Sequence, residues 1–167
     1  AIHIPEHIVT RLAEQFWPGA LTLVLKRAPH VPDNIAAGLP TIAVRMPAHP
    51  VARALILASG VPIAAPSANL SGHVSPTTVG HVLADLDGKI DAVVDGGPAA
   101  AGLESTIVGC CDGEVYLLRP GVITRAMLAG VLGRSVPDAA HGDDNHAPAS
   151  PGRLSSHYAP KTPVRLN

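Results

Sequence analysis

Apolar residues recur at two spacings along this chain, and the change from one to the other lays out its elements. Over residues 5–16, Ile8, Leu12 and Phe16 return every four positions with Pro5 near the first turn. That spacing predicts a helix, which Trp17-Pro18-Gly19 brings to a stop. The runs 21–26 and 41–46 are short and apolar, the second rich in β-branched residues, and both are predicted strands. A helix is predicted over 50–59, with Pro50 at its start and Gly60 just past its end. The apolar run 61–65 reads as a strand leading into Pro66-Ser67-Ala68-Asn69. Ser75-Pro76 then reads as N-cap and first position of a helix over 76–86, closed by Gly88. A further strand is expected over 90–94, before Asp95-Gly96-Gly97-Pro98. Strands 105–110 and 114–118 flank Asp112-Gly113, a two-residue hairpin signature. Thr124 caps a last helix that reaches Leu132 and ends at Gly133.

Helices and strands alternate, but the hairpin and the uneven spacings favour a mixed twisted sheet with flanking helices over a regular doubly wound one. The fold class is therefore α/β. From 135 to 150 the chain turns to Asp, His, Ala and Pro and reads as a flexible linker.

Composition narrows the function. With 167 residues the chain suits one domain able to enclose a core without staples. It is 47% hydrophobic and 15% charged, which excludes a disordered chain. Twelve Lys and Arg against thirteen Asp and Glu give no broad positive field for a nucleic acid. Phe16, Trp17, Tyr116 and Tyr158 are too few aromatics for a base-stacking platform. Cys110 and Cys111 are adjacent, a poor geometry for an ordinary disulfide. No apolar run reaches the length of a membrane span, and a cytoplasmic location is expected.

Familiar catalytic signatures are absent: there is no Walker A sequence, no G-x-G-x-x-G and no G-x-S-x-G. His3 with His7, Asp85 with Asp87 and Asp143 with Asp144 read as solvated surface groups rather than a zinc site or acid–base pairs. What remains is a series of hydroxyls, glycine turns and arginines at strand ends: Ser67 and Asn69, Ser71-Gly72, Ser75 at a helix start, Glu104-Ser105-Thr106, Arg45 and Arg119. Helix N-termini and arginine forks both favour anions. The residues by themselves point to a pocket for a phosphate-bearing or carboxylate ligand, with no committed acid–base dyad.

Six strings in order, FWPGALTLVL, TIAVRMP, VPIAAPSANLSGHVSPT, ESTIV, LLRPG and SPGRLSSHYAPK, resemble the YrdC-like family. The last is similar to a segment of its longer, two-domain members, the L-threonylcarbamoyladenylate synthases. The resemblance implies an enzyme that joins L-threonine, bicarbonate and ATP, with Mg2+ accompanying the nucleotide, into threonylcarbamoyl-AMP and pyrophosphate. The product would pass to a tRNA-modifying complex that makes N6-threonylcarbamoyladenosine, with weak tRNA binding as a further expectation and no membrane partner. By motif, Thr41, Ser67, Ser75, Arg119 and Tyr158 resemble ATP contacts, and Arg45, Ala65 and Ser105 resemble threonine contacts. Asn69 is expected to organise the Ser67 loop.

The family's opening Pro-Thr-Glu-Thr segment, Lys-x-Arg pair and Asn-Pro-Leu stretch are not found here, nor is a second domain beyond the linker. The expected organisation is an N-terminally incomplete catalytic domain over 1–134, a linker over 135–150 and the start of an interdomain segment over 151–167. Two other readings are a non-catalytic RNA-binding or regulatory module, against which the near-neutral charge counts, and a carbamoyl-adenylate-handling module, against which the SPG…HYAP tail counts.

Overall fold

A computed structural model describes residues 6–111 and 113–139. His3, Tyr158, the Asp143-Asp144 pair and most of the expected linker lie outside the described residues. Those described form two compact units: one runs to Pro62 and resumes at Leu103, the other is Ile63–Gly102.

The first unit is built from elements whose ends are set by local chemistry. Helix α1, Glu6–Phe16, buries Leu12 and Phe16 from the stripe that the spacing marked. Helix α2, Pro50–Ser59, has Pro at its start and ends on Gly60 at φ 66°. Helix α4, Arg125–Leu132, begins under Thr124, whose hydroxyl accepts the Met127 N–H, and ends on Gly133 at φ 67°. A left-handed residue at each C-terminus is a conformation glycine adopts without steric cost.

Four strands make one mixed sheet: β1 Leu21–Lys26, β2 Thr41–Val44, β3 Thr106–Cys111 and β4 Glu114–Arg119, in the order β2-β1-β3-β4. β1 and β3 run parallel; the other two pairings are antiparallel. Leu21, Leu23, Val108, Cys110, Val115 and Leu117 share a core with Leu12 and Phe16 of α1 and Leu128 of α4. Each fully buried leucine in such a core contributes roughly 1.5–3 kcal/mol. Thr22, Val24 and Ile107 alternate with these residues and so stand on the opposite face, and all three are buried too. The two central strands are thus covered on both faces, as a parallel pair requires.

Several expectations are corrected. β2 ends at Val44 rather than Met46, because the Met46 carbonyl turns to accept the Gly19 N–H at 2.8 Å. The run 61–65 is not a strand, and Val61 and Ile63 are exposed. Nor is 90–94, where Ile90 and Val94 are exposed. An apolar run becomes a strand only when another strand takes its backbone groups. Helix α3 is Val79–Leu86, shorter than 76–86, and its N-cap is Thr78, whose hydroxyl accepts the His81 N–H at 3.3 Å. Ser75 therefore does not cap it: the helix begins three residues later than Ser75-Pro76 suggested, where the Thr78 hydroxyl meets the His81 N–H. The stretch read as linker is anchored at its start. Val136, 1% exposed, joins the core. Leu117 N–H donates to the Pro137 carbonyl at 2.8 Å and Ala139 N–H to the Leu117 carbonyl at 3.0 Å, which occupies the outer edge of β4.

The second unit holds α3 and the turns before and after it, and none of its residues is buried. Among the described residues, no helix is long and apolar enough to cross a membrane.

Candidate functional site

The sheet register gathers several of the sequence-derived candidates at one end and on one face. β1 and β3 start together, with Leu21 opposite Thr106, so Ser105 stands just before this edge. β2 runs the other way and pairs Val44 with Leu23, which puts Arg45 in line with Thr22. β4 returns to the same end, where Arg119 pairs with Ile107. Between Val108↔Leu117 and Ile107↔Arg119 the register slips by one residue, so Leu118 is the extra residue of a bulge. A regular ladder would have set Leu118 opposite Ile107 and turned Arg119 to the other face. The bulge brings Arg119 onto the face that carries Thr22, Ser105 and Arg45, opposite α1 and α4.

Hydrogen bonds fix this edge. Arg119 Nε and Nη2 donate to the Ser105 carbonyl at 3.1 and 2.9 Å, and Nη2 also reaches Ser105 Oγ at 3.1 Å. Ser105 Oγ lies 2.8 Å from Thr22 Oγ1, both residues being buried. Glu104 completes the charge set, with Oε2 3.7 Å from Arg119 Nη2. Thr106 is fully buried; its N–H donates to the Ala20 carbonyl at 3.0 Å, and its hydroxyl donates to the Ile123 carbonyl at 2.8 Å while accepting the Ile123 N–H at 3.0 Å. Gly121 presses on the same segment, so closely that a Cβ there would sit 2.5 Å from the Glu104 carbonyl oxygen and 2.6 Å from Thr106 N.

Arg45 holds the Gly19 carbonyl through Nε at 2.8 Å. Burial lowers its pKa from the ordinary arginine value, Glu104 pulls it back up, and Arg119 lowers it again. Two guanidinium groups and one carboxylate therefore share this edge of the sheet, and the arginines outnumber the acid. Such an edge attracts an anion, and a planar fork suits a carboxylate or a phosphate.

Of the other candidates, one lies in the first unit and three in the second. Thr41 opens β2 opposite Lys26, at the far end of that strand from Arg45. Four residues of extended chain separate the two, about 13 Å. Ala65, Ser67 and Ser75 belong to the second unit, where Ala65 and Ser67 are exposed. There Asn69 bridges the turn that follows it, Nδ2 donating to the Leu70 carbonyl at 2.8 Å and the His73 carbonyl at 3.2 Å. Asp85, expected on a solvated face, instead accepts the Leu70 N–H at 3.1 Å and lies 3.2 Å from His73 Nδ1 through each carboxylate oxygen. Sequence reasoning named Glu104 only within the Glu104-Ser105-Thr106 string, without a charge role, and missed Thr22, Gly121 and the His73–Asp85 pair as parts of these arrangements. Only Glu104, beside Ser105, had a local signal.

A groove of about 610 Å³ between α1 and α4, lined by Arg11, Glu14, Gln15, Phe16, Met127 and Gly130 among others, contains none of the charged edge. Its charged side chains do not converge with any of the hydroxyls or arginines above. Among the described residues no group of three or more His, Cys, Asp or Glu is placed to hold a metal ion. Cys110 is buried, and the Cys111 thiol donates to the Val24 carbonyl at 3.8 Å.

The Sua5/YciO/YrdC family model, described as telomere recombination, matches residues 2–121. A model described as the threonylcarbamoyl-AMP synthase C-terminal domain matches residues 123–167. The threonylcarbamoyl-AMP synthase of Bacillus subtilis (strain 168) is 51% identical over 97% of this chain and 47% of its own length. That of Pyrococcus abyssi is 45% identical over 98% of this chain and 48% of its own. The crystal structure of P. abyssi Sua5 complexed with L-threonine superposes with a TM-score of 0.86 at 45% identity, covering 96% of this chain and 47% of that one. That of E. coli YciO gives a TM-score of 0.63 at 25% identity, covering 71% and 58%. The chain spans about half the length of the synthases it matches.

Proposed function

The chain belongs to the Sua5/YciO/YrdC family, and from that membership we propose that it works as an L-threonylcarbamoyladenylate synthase. The observation that carries the reading is the meeting of Arg45, Arg119, Glu104 and Ser105 at one end of the sheet. In this reading Arg45 clamps the threonine carboxylate and Ser105 offers a polar contact on the same side. Ala65 contributes backbone to the amino acid. Arg119, Thr41, Ser67, Ser75 and Tyr158 serve the ATP side.

The reaction needs no covalent enzyme intermediate. The free amine of threonine captures CO2 with loss of a proton, or bicarbonate with loss of water, and an oxygen of the resulting carbamate attacks the α-phosphorus of ATP, expelling pyrophosphate. Positioning and charge stabilisation suffice for such a transfer. Mg2+ enters with ATP as the Mg·ATP substrate, held by the phosphates. The product would go to a cytoplasmic tRNA-modifying complex, and any tRNA contact of this chain itself would be weak.

The test is formation of threonylcarbamoyl-AMP and pyrophosphate by the chain with Mg·ATP, omitting threonine or bicarbonate in turn. Product that requires both co-substrates supports the reading. ATP turnover indifferent to threonine removes it. Tight, salt-dependent tRNA binding without turnover would favour the RNA-binding module instead.

A further inference from the structure

Ser67 and Ser75, both read as ATP contacts, stand on either side of a tight turn in the second unit. His73 N–H donates to the Leu70 carbonyl at 3.0 Å, and Gly72 takes a φ of 84°, as the third residue of a type II β-turn requires. Asn69 Nδ2 pins the carbonyls at the two ends of this turn, those of Leu70 and His73. Asp85 of α3 holds the same two residues by their other groups. One carboxylate oxygen accepts the Leu70 N–H at 3.1 Å, and both oxygens lie 3.2 Å from His73 Nδ1. Beyond Ser75 the chain returns to the same helix: Thr77 N–H donates to His81 Nδ1 at 3.3 Å, and the Thr78 hydroxyl accepts the His81 N–H. His81 and Asp85 are four residues apart and so share one face of α3. The stretch from Leu70 to Thr78 is thus tied to one helix at two points a turn apart, with Ser75 between them.

A loop already held in its binding shape costs less to order when a ligand arrives. We propose that Asp85 is a positioning residue for the nucleotide: it touches no ligand, and by fastening the Leu70–His73 turn to α3 it presents Ser67 and Ser75 to ATP. This rests on the reading of those two serines as ATP contacts and deepens it. Charge gives the proposal a definite sign. Deleting an acid by itself favours a polyanion, through the Coulomb field, whereas deleting a positioning group weakens binding.

Calorimetric titration of the full chain with Mg·ATP and with threonine tests it. Asp85→Ala should weaken Mg·ATP about tenfold and leave threonine within about twofold, since Arg45 and Ser105 belong to the first unit. Asp85→Asn loses the same charge but keeps an oxygen for the Leu70 N–H, so its Mg·ATP affinity should fall only about threefold. The difference between the two variants reads the hydrogen bond alone, and the amide carries the test where the alanine variant fails to fold. Partial unfolding would lower the fraction of chain that binds rather than the affinity of the folded part. Asp87→Ala removes a neighbouring carboxylate and should leave both ligands within about twofold. Mg·ATP affinity that is unchanged or tighter in Asp85→Ala and Asp85→Asn would overturn the proposal. Equal weakening of ATP and threonine, or an equal loss in Asp87→Ala, would overturn it too. A parent that binds no Mg·ATP overturns the substrate reading and this inference together, whereas a parent that binds it beside unaffected Asp85 variants overturns this inference alone.

Discussion

Arg119 grips Ser105 at both its carbonyl and its hydroxyl, with bonds of 2.9 to 3.1 Å from two nitrogens of one guanidinium. The grip exists because the bulge at Leu118 turns Arg119 onto the face of the sheet where Ser105 stands. Ser105 in turn meets Thr22 across 83 positions of sequence. A single side chain at the end of β4 thereby holds the edge of β3, and β3 holds β1.

Arg119→Lys preserves the charge but loses the fork that spans the carbonyl and the hydroxyl. The expected cost is about 1–3 kcal/mol of folding stability, since the Ser105 groups lose partners in a partly buried place. Threonine affinity should drop together with ATP affinity, because Ser105 moves as well. Urea denaturation and paired titrations check this; a loss confined to ATP would mean Ser105 holds its position without the fork.

Gly121→Ala drives a Cβ into backbone rather than into a side chain that can swing away, 2.5 Å from the Glu104 carbonyl oxygen. The Glu104–Thr106 segment or the turn after β4 must shift, at a cost of roughly 1–3 kcal/mol. Threonine binding should weaken in the same variant. A thermal melt and a threonine titration on one preparation measure both effects, and a variant as stable as the parent would contradict the packing.

Arg45→Ala removes the cation that the proposed function sets against the threonine carboxylate. Threonine affinity should fall about tenfold to a hundredfold, with ATP affinity within about threefold of the parent. Titrations with each ligand decide it, and equal threonine curves would take Arg45 out of the site.

Cys110 gives a pH prediction. Burial, with a smaller contribution from Cys111, pushes its thiol from 9.0 up to about 12. At about pH 8 the native protein should resist alkylation at Cys110, because the thiolate is the reacting form. The unfolded thiol gives up its proton from about pH 9 while the folded one keeps it. Stability should therefore fall as pH rises through that window, by up to about 1.4 kcal/mol per pH unit. Denaturation of the parent and Cys110→Ala at about pH 8 and about pH 10 tests the sign: the parent should lose more of its stability than the variant.

The sequence alone was sufficient for α1, α2, β1, the β3–β4 hairpin and α4, down to the Thr124 cap and the glycines past α2 and α4. Each of these depends on residues a few positions apart: an apolar stripe, a capping hydroxyl, a left-handed glycine, a two-residue turn. The ordered motifs likewise carried the family and the arginines of the site. Tertiary structure decided the rest. The runs 61–65 and 90–94 have the apolar look of strands, yet a strand needs a neighbour for its N–H and C=O groups, and pairing is not written in the run itself. Ser75 was the cap that the sequence pointed to, but the helix starts only at Val79, under Thr78, whose hydroxyl accepts the His81 N–H. Val136 joined the core because Pro137 and Ala139, beside it, bond to Leu117 on the edge of β4. Which face Arg119 presents depended on one extra residue in a ladder, since a slip of one position along a strand exchanges its two faces. Residue types are properties of the sequence, but the side of the sheet on which they meet is a property of strand pairing between distant segments.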